Sequence, residues 1–240
     1  MSGNEGPSLG SLDLRAALAK EGCPLCRLVR EGEERWLWQL LYEFSGDPAI
    51  REELDRASGL CHAHAHLLIK VVEERELVSG DTVARIYETV VRHYRRRLEA
   101  LPRTKGRGHR GSRASRAGQG GGERCPLCLR REELELREAR LLLGVLEDGE
   151  WRASYRASDG LCNPHLLLAL EEAGPHLQGF LIADHLARLK RLEQELAELQ
   201  RKQRYDVAEP ITPGEARSWR EAIWRFTGME YDRPLIRRQR

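Results

Sequence analysis

All six cysteines of the chain, and two of its eight histidines, fall into a spacing that occurs twice. CPLC stands at 23–26 and again at 125–128. A Cys–His pair three residues apart stands in GLCHAH at 59–64 and again in GLCNPH at 160–165. A CxxC turn points two sulfurs the same way, and a Cys and His three apart at a helix start share one face, so each pair can offer two donors to one ion. Taken copy by copy, this predicts two Cys3His sets: Cys23, Cys26, Cys61 and His64, then Cys125, Cys128, Cys162 and His165. His62 aligns with Asn163 and His66 with Leu167, so both are expected to be bystanders to the ligand pair.

Four soft or borderline donors with tetrahedral potential suit Zn²⁺, which gives an expectation of two zinc ions per chain. An iron–sulfur cluster is the alternative for the same donors. A dithiol redox pair is a further one, but that motif belongs with a βαβ pattern, and none is legible. Catalytic zinc keeps an open position, whereas four protein ligands close the shell. No HExxH is present, nor HxE ahead of PCxxC, so the sites are expected to be structural, and whether the chain is an enzyme stays open, with the pattern leaning against it.

The segments that must carry these ligands read as helices. Leu, Glu, Arg and Ala dominate, and β-branched runs between turns are nearly absent. Asp47 followed by Pro48 predicts an N-cap and first helical position, with Gly59 after the last turn. TPGE at 212–215 predicts a capping box opening a helix that ends near Gly228, with Trp219, Ile223 and Phe226 on one face. Leucines at 181, 186, 189, 192, 196 and 199 predict core packing rather than a coiled coil. The expectation is an all-α protein of two pseudo-repeated helical units, 1–102 and 125–204, joined by a flexible Gly/Arg-rich linker over 103–124. Residues 205–240 form an extension with one amphipathic helix.

The arrangement CPLC…EERWLWQLLYEF…DPAIREELDRASGLCHAH, repeated, resembles a family of uncharacterised bacterial proteins with tandem CxxC…CxxH units. The resemblance spans most of the chain outside the linker and both ends. It implies the helical fold and the ligand set, and it implies no activity. The second copy departs from it where LLLGVLEDGEWRA replaces LLYEF…DP.

Charged residues make up 32% of the chain but nearly cancel, with a formal net charge of +2. Whole-chain charge therefore announces neither a nucleic-acid nor a membrane partner. No basic segment followed by an apolar run opens the sequence, and no apolar stretch is long enough to span a bilayer. A cytoplasmic protein with reduced thiols is expected. A protein partner, with the chain as an interaction or regulatory module, is the leading expectation. A nucleic-acid partner is the second, carried by Arg95, Arg96 and Arg97 at a helix end and by Arg103, Lys105, Arg107, Arg110 and Arg113 in the linker. A thiol redox sensor is the third.

Overall fold

Helix-forming composition and frequent caps divide the chain into short and medium helices. A computed structural model describes residues 9–74, 80–100 and 123–229. Among these residues there are ten α-helices and no strand. They are α1 (Leu9–Leu18), α2 (Pro24–Tyr42), α3 (Pro48–Ala57), α4 (His62–Glu74), α5 (Gly80–Glu99), α6 (Pro126–Val145), α7 (Gly149–Ala157), α8 (Asn163–Glu172), α9 (Pro175–Lys202) and α10 (Pro213–Thr227). Of these, none is long and apolar enough to cross a membrane. The expected linker over 103–124 falls, as residues 103–122, outside the described residues.

The caps explain where the helices start and stop. The Asp47 carboxylate accepts from the amides of Ala49 and Ile50 while Pro48 takes the first helical position, as the sequence predicts. Asp148 caps α7 in the same way, through Glu150 and Trp151. In α10 both halves of the predicted capping box are present: Thr212 accepts from the Glu215 amide and Glu215 accepts from the Thr212 amide.

The glycine of each GLC has a backbone reason to be there. Gly59 and Gly160 take φ of 91° and 71°, the left-handed region that a side chain disfavours. Each turn also packs closely. A Cβ at Gly160 would stand 2.7 Å from Arg188 Nε, and one at Gly59 would stand 3.2 Å from a Tyr87 ring carbon. These turns end α3 and α7 and deliver Cys61 and Cys162 to the starts of α4 and α8.

The chain forms two compact units, and their boundaries fall within α2 and α6. One unit comprises described residues 9–31 and 134–229, and the other 32–133. Each unit thus draws on both sequence copies. The core of the first is built from Leu14, Leu25, Leu142, Leu146, Tyr155, Leu161 and Leu181. That of the second is built from Leu37, Leu40, Leu54, Leu67, Ile86 and Leu127. The leucine stripe of α9 divides accordingly: Leu181 and Leu192 are buried, whereas Leu186 is exposed.

Helix α10 packs on α9 and α8 with an unexpected face. Its buried residues are Glu215, Ser218 and Arg225. Trp219, Ile223 and Phe226 do share one face, but that face is 46%, 57% and 61% exposed at the three positions. Polar side chains can line the buried side because each is hydrogen-bonded there. Lys202 binds Glu215, the Ser218 hydroxyl donates to the Glu215 carbonyl, and Arg225 binds Glu221 and two carbonyls.

Candidate metal centres

Every ligand pair stands at the beginning of a helix. Cys23 and Cys125 immediately precede α2 and α6, whose first residues are Pro24 and Pro126, and Cys26 and Cys128 lie in the first turns. Cys61 and Cys162 immediately precede α4 and α8, with His64 and His165 in the first turns. Proline fits the first helical position because its missing N–H has no intrahelical partner there anyway. The positive end of a helix dipole favours a thiolate at each start.

These pairs assemble crosswise, which corrects the copy-by-copy closure that the spacing predicts. One group is Cys23, Cys26, Cys162 and His165, and the other is Cys61, His64, Cys125 and Cys128. In each group the four donor atoms lie within 4.8 Å of one another. The outer bond of the histidine supplies the reason. His64 Nε2 lies 3.0 Å from Glu33 Oε1, and Glu33 stands seven residues along α2 from Cys26. Seven residues of helix rise by ~10 Å, so a histidine held at Glu33 is out of reach of its own copy's CxxC. His165 Nε2 stands in ion-pair range of Glu135, 3.8 Å away and seven residues after Cys128.

The distances fit a single tetrahedral ion. In the first centre Cys26 and Cys162 sulfurs are 3.6 Å apart, and His165 Nδ1 lies 3.5, 3.3 and 3.2 Å from Cys23, Cys26 and Cys162. In the second, Cys61 and Cys128 sulfurs are 3.6 Å apart, and His64 Nδ1 lies 3.3, 3.5 and 3.5 Å from Cys61, Cys125 and Cys128. Bond lengths of about 2.3 Å to sulfur and about 2.05 Å to nitrogen make tetrahedral edges of roughly 3.8 Å (S–S) and roughly 3.6 Å (S–N). None of the six cysteines, all of them among the described residues, is in a disulfide.

Without a cation the donors divide their charge unevenly. Hydrogen bonds from Cys23 and Cys26 bring the Cys162 thiol down to about 4. Burial is the largest influence on Cys125 and opposes its ionisation, but the hydrogen bond and charge of His64 together with backbone amides outweigh it and bring that thiol down to about 6. Burial pushes Cys128 up to about 12, helped by the neighbouring sulfurs, and pushes Cys23 well up. Burial alone would lower both imidazoles. The sulfur and carboxylate partners reverse this, so His64 rises to about 10 and His165 to about 9. Each set therefore carries a thiolate–imidazolium pair with at least one thiol kept neutral. A divalent ion at the centre would let the remaining sulfurs ionise and would take the place of the Nδ1 proton.

Glu33 and Glu135 are the residues that the spacing of Cys and His does not reveal. An Nε2–H donated to a carboxylate fixes the tautomer and leaves Nδ1 for the ion. Glu33 is buried, and Arg131 lies 3.7 Å from its Oε1. The two predicted bystanders, His62 and His66, stack edge to face on one another at 4.5 Å and belong to neither donor group. Asp184 pairs with Arg188, and His185 Nε2 lies 2.8 Å from Asn163 Oδ1.

Among the arginines expected to meet nucleic acid, Arg95 pairs with Glu99 and Arg97 donates to the Ser58 hydroxyl. Arg96 lies in the last turn of α5. Arg103, Lys105, Arg107, Arg110 and Arg113 lie outside the described residues.

No curated protein and no solved structure matches the chain. The matched segment of a family model, residues 11–208, contains all eight donors of the two centres and stops before α10. The chain belongs to that family, a family of unknown function designated DUF6062.

Proposed function

We propose that the protein is a zinc-stabilised helical interaction module, with one structural zinc in each Cys3His centre and a protein as its partner. The carrying observation is the closed donor shell: three sulfurs and one nitrogen at tetrahedral spacing leave no position for a substrate or an activated water. The compactness of each group favours a single ion over an iron–sulfur cluster, whose several irons would hold the outer cysteines farther apart. The free thiols accord with a reducing, cytoplasmic setting.

Zinc here would stabilise the fold. A structural zinc contributes roughly 10–16 kcal/mol in small peptides, against a net domain stability of about 5–15 kcal/mol. Each centre joins segments distant in sequence, so the ion would decide whether those helices stay together. The exposed Trp219, Ile223 and Phe226 face of α10 supports the interaction role, since large apolar side chains at helical spacing are what a partner's groove accepts.

Elemental analysis of the purified chain together with its absorption spectrum tests the metal. Two zinc ions and no visible band are expected; a brown protein carrying iron and inorganic sulfide would overturn the reading. Removal of the metal by a chelator is expected to reduce helicity in circular dichroism.

A further inference from the structure

We propose that the second centre is a thiol-oxidation site, in which Cys61 and Cys128 form a disulfide when the metal-loaded chain meets a hydroperoxide. The second ion leaves and the first stays bound. This rests on the zinc reading above and distinguishes two centres that have the same ligands.

The centres differ in cover. Cys23, Cys26, Cys162 and His165 are all buried, whereas Cys61 and Cys128 are partly exposed. Both centres hold a sulfur pair at 3.6 Å, Cys26 with Cys162 and Cys61 with Cys128, so proximity does not separate them. Access does, because thiolate oxidation follows exposure.

The turns that carry Cys162 and Cys61 are also held differently. In the first unit, Arg188 donates to the carbonyls of Ser158 at 2.6 Å and Tyr155 at 3.1 Å. Arg225 donates to Leu161 at 3.2 Å and Asp159 at 3.0 Å, and Asp159 in turn accepts from the Gly22 amide at 2.7 Å. The two guanidinium groups are buried, at 7% and 0% exposed. The Met229 amide donates to the Cys26 sulfur at 3.4 Å, so the segment just after α10 also bonds a donor of this centre directly. The corresponding turn of the second unit has the Arg97–Ser58 bond at 3.2 Å and the Leu60 amide at 3.5 Å from the Tyr87 hydroxyl. Within its unit the first centre is therefore latched by α10, which lies beyond the family-matched segment; among the described residues no buried guanidinium holds the turn before Cys61.

The chemistry balances with the hydroperoxide as sole oxidant. One of the two thiolates attacks the terminal oxygen, the O–O bond breaks, and a sulfenic acid and an alkoxide (or hydroxide) form. The other thiolate attacks the sulfenic sulfur and expels hydroxide as the S–S bond closes. Two sulfurs together lose two electrons, the peroxide gains them, and solvent supplies the protons for the two oxyanions. Cys125 and His64 alone then remain for the ion, too few to hold it.

The test treats the full-length, zinc-loaded chain with hydrogen peroxide in the presence of a chromogenic zinc chelator, then maps disulfides by mass spectrometry after alkylation. One ion is expected to leave about tenfold faster than the other, with a Cys61–Cys128 linkage in the product. Met229→Pro, which removes the N–H donor to Cys26, is expected to speed loss of the slow ion and leave the fast one unchanged. Simultaneous loss of both ions, a linkage confined to Cys26–Cys162, or no release at all overturns the assignment of the second centre while leaving two structural zincs in place. Fewer than two zincs before peroxide is added overturns the zinc reading itself, and the oxidation site with it.

Discussion

His64 and His165 each serve two masters at once, a donor group through Nδ1 and a carboxylate through Nε2. The carboxylate decides which nitrogen is free, so its loss should weaken metal binding without removing a ligand. Glu33→Gln is expected to lower the affinity of the second centre by about 10–100-fold and to leave the first unchanged, read by competition with a chelator of known affinity. Protons give a second residue-level expectation. At pH 7 the metal-free His64 (about 10) and Cys128 (about 12) are protonated, as are His165 (about 9) and the raised Cys23. Each must lose its proton to bind, so zinc uptake in weakly buffered solution should release about two or more protons per ion, and acid should weaken binding. Release of no protons would mean that the donors are already ionised. The Cys and His residues that gather into the two groups were legible because both types are scarce and recur in register. Glu33 and Glu135 recur in register too, but both helices are rich in glutamate, Glu34 and Glu138 among them are also buried, and spacing alone does not single out the one that meets the imidazole.

Among the elements, α10 shows what composition conveys and what it conceals. Its start and end were legible, since a capping box and a terminal glycine are local features. Its buried face was not. An apolar stripe ordinarily faces the core, yet here Arg225 takes that place, because the turn before Cys162 presents carbonyls that a guanidinium satisfies. Arg225→Met keeps the length and much of the volume but leaves those buried carbonyls without their donor and removes one of the two arginines, Arg191 being the other, that pair with Glu221. It should cost about 2–4 kcal/mol in urea unfolding, with faster amide exchange in α10. Thr212→Ala, which removes one cap bond, should cost only ~1 kcal/mol. Equal, small losses would show that α10 is held chiefly by something other than its buried arginine.

At the scale of the whole chain, the repeat marked the eight Cys and His residues of the two groups but not how they divide, because the division follows which carboxylate each histidine meets and not the order of the copies. Helices α2 and α6, of 19 and 20 residues, carry CxxC at one end and the histidine's carboxylate seven residues on. Each centre therefore takes its CxxC from one copy and its Cys–His pair from the other. Single cysteine variants do not distinguish this from closure within a copy, since either arrangement loses one ion. Pairs of substitutions do. Cys23→Ser with Cys162→Ser falls within one crosswise centre, so the chain should retain one zinc, whereas closure within a copy would strike both centres and leave none. Cys23→Ser with Cys61→Ser should behave in the opposite way, losing both ions crosswise and only one otherwise. Zinc content per chain by elemental analysis, with circular dichroism to confirm that helices persist, reads both variants. Retention in the first and loss in the second requires the copies to exchange ligands; the reverse pattern would return each centre to its own copy.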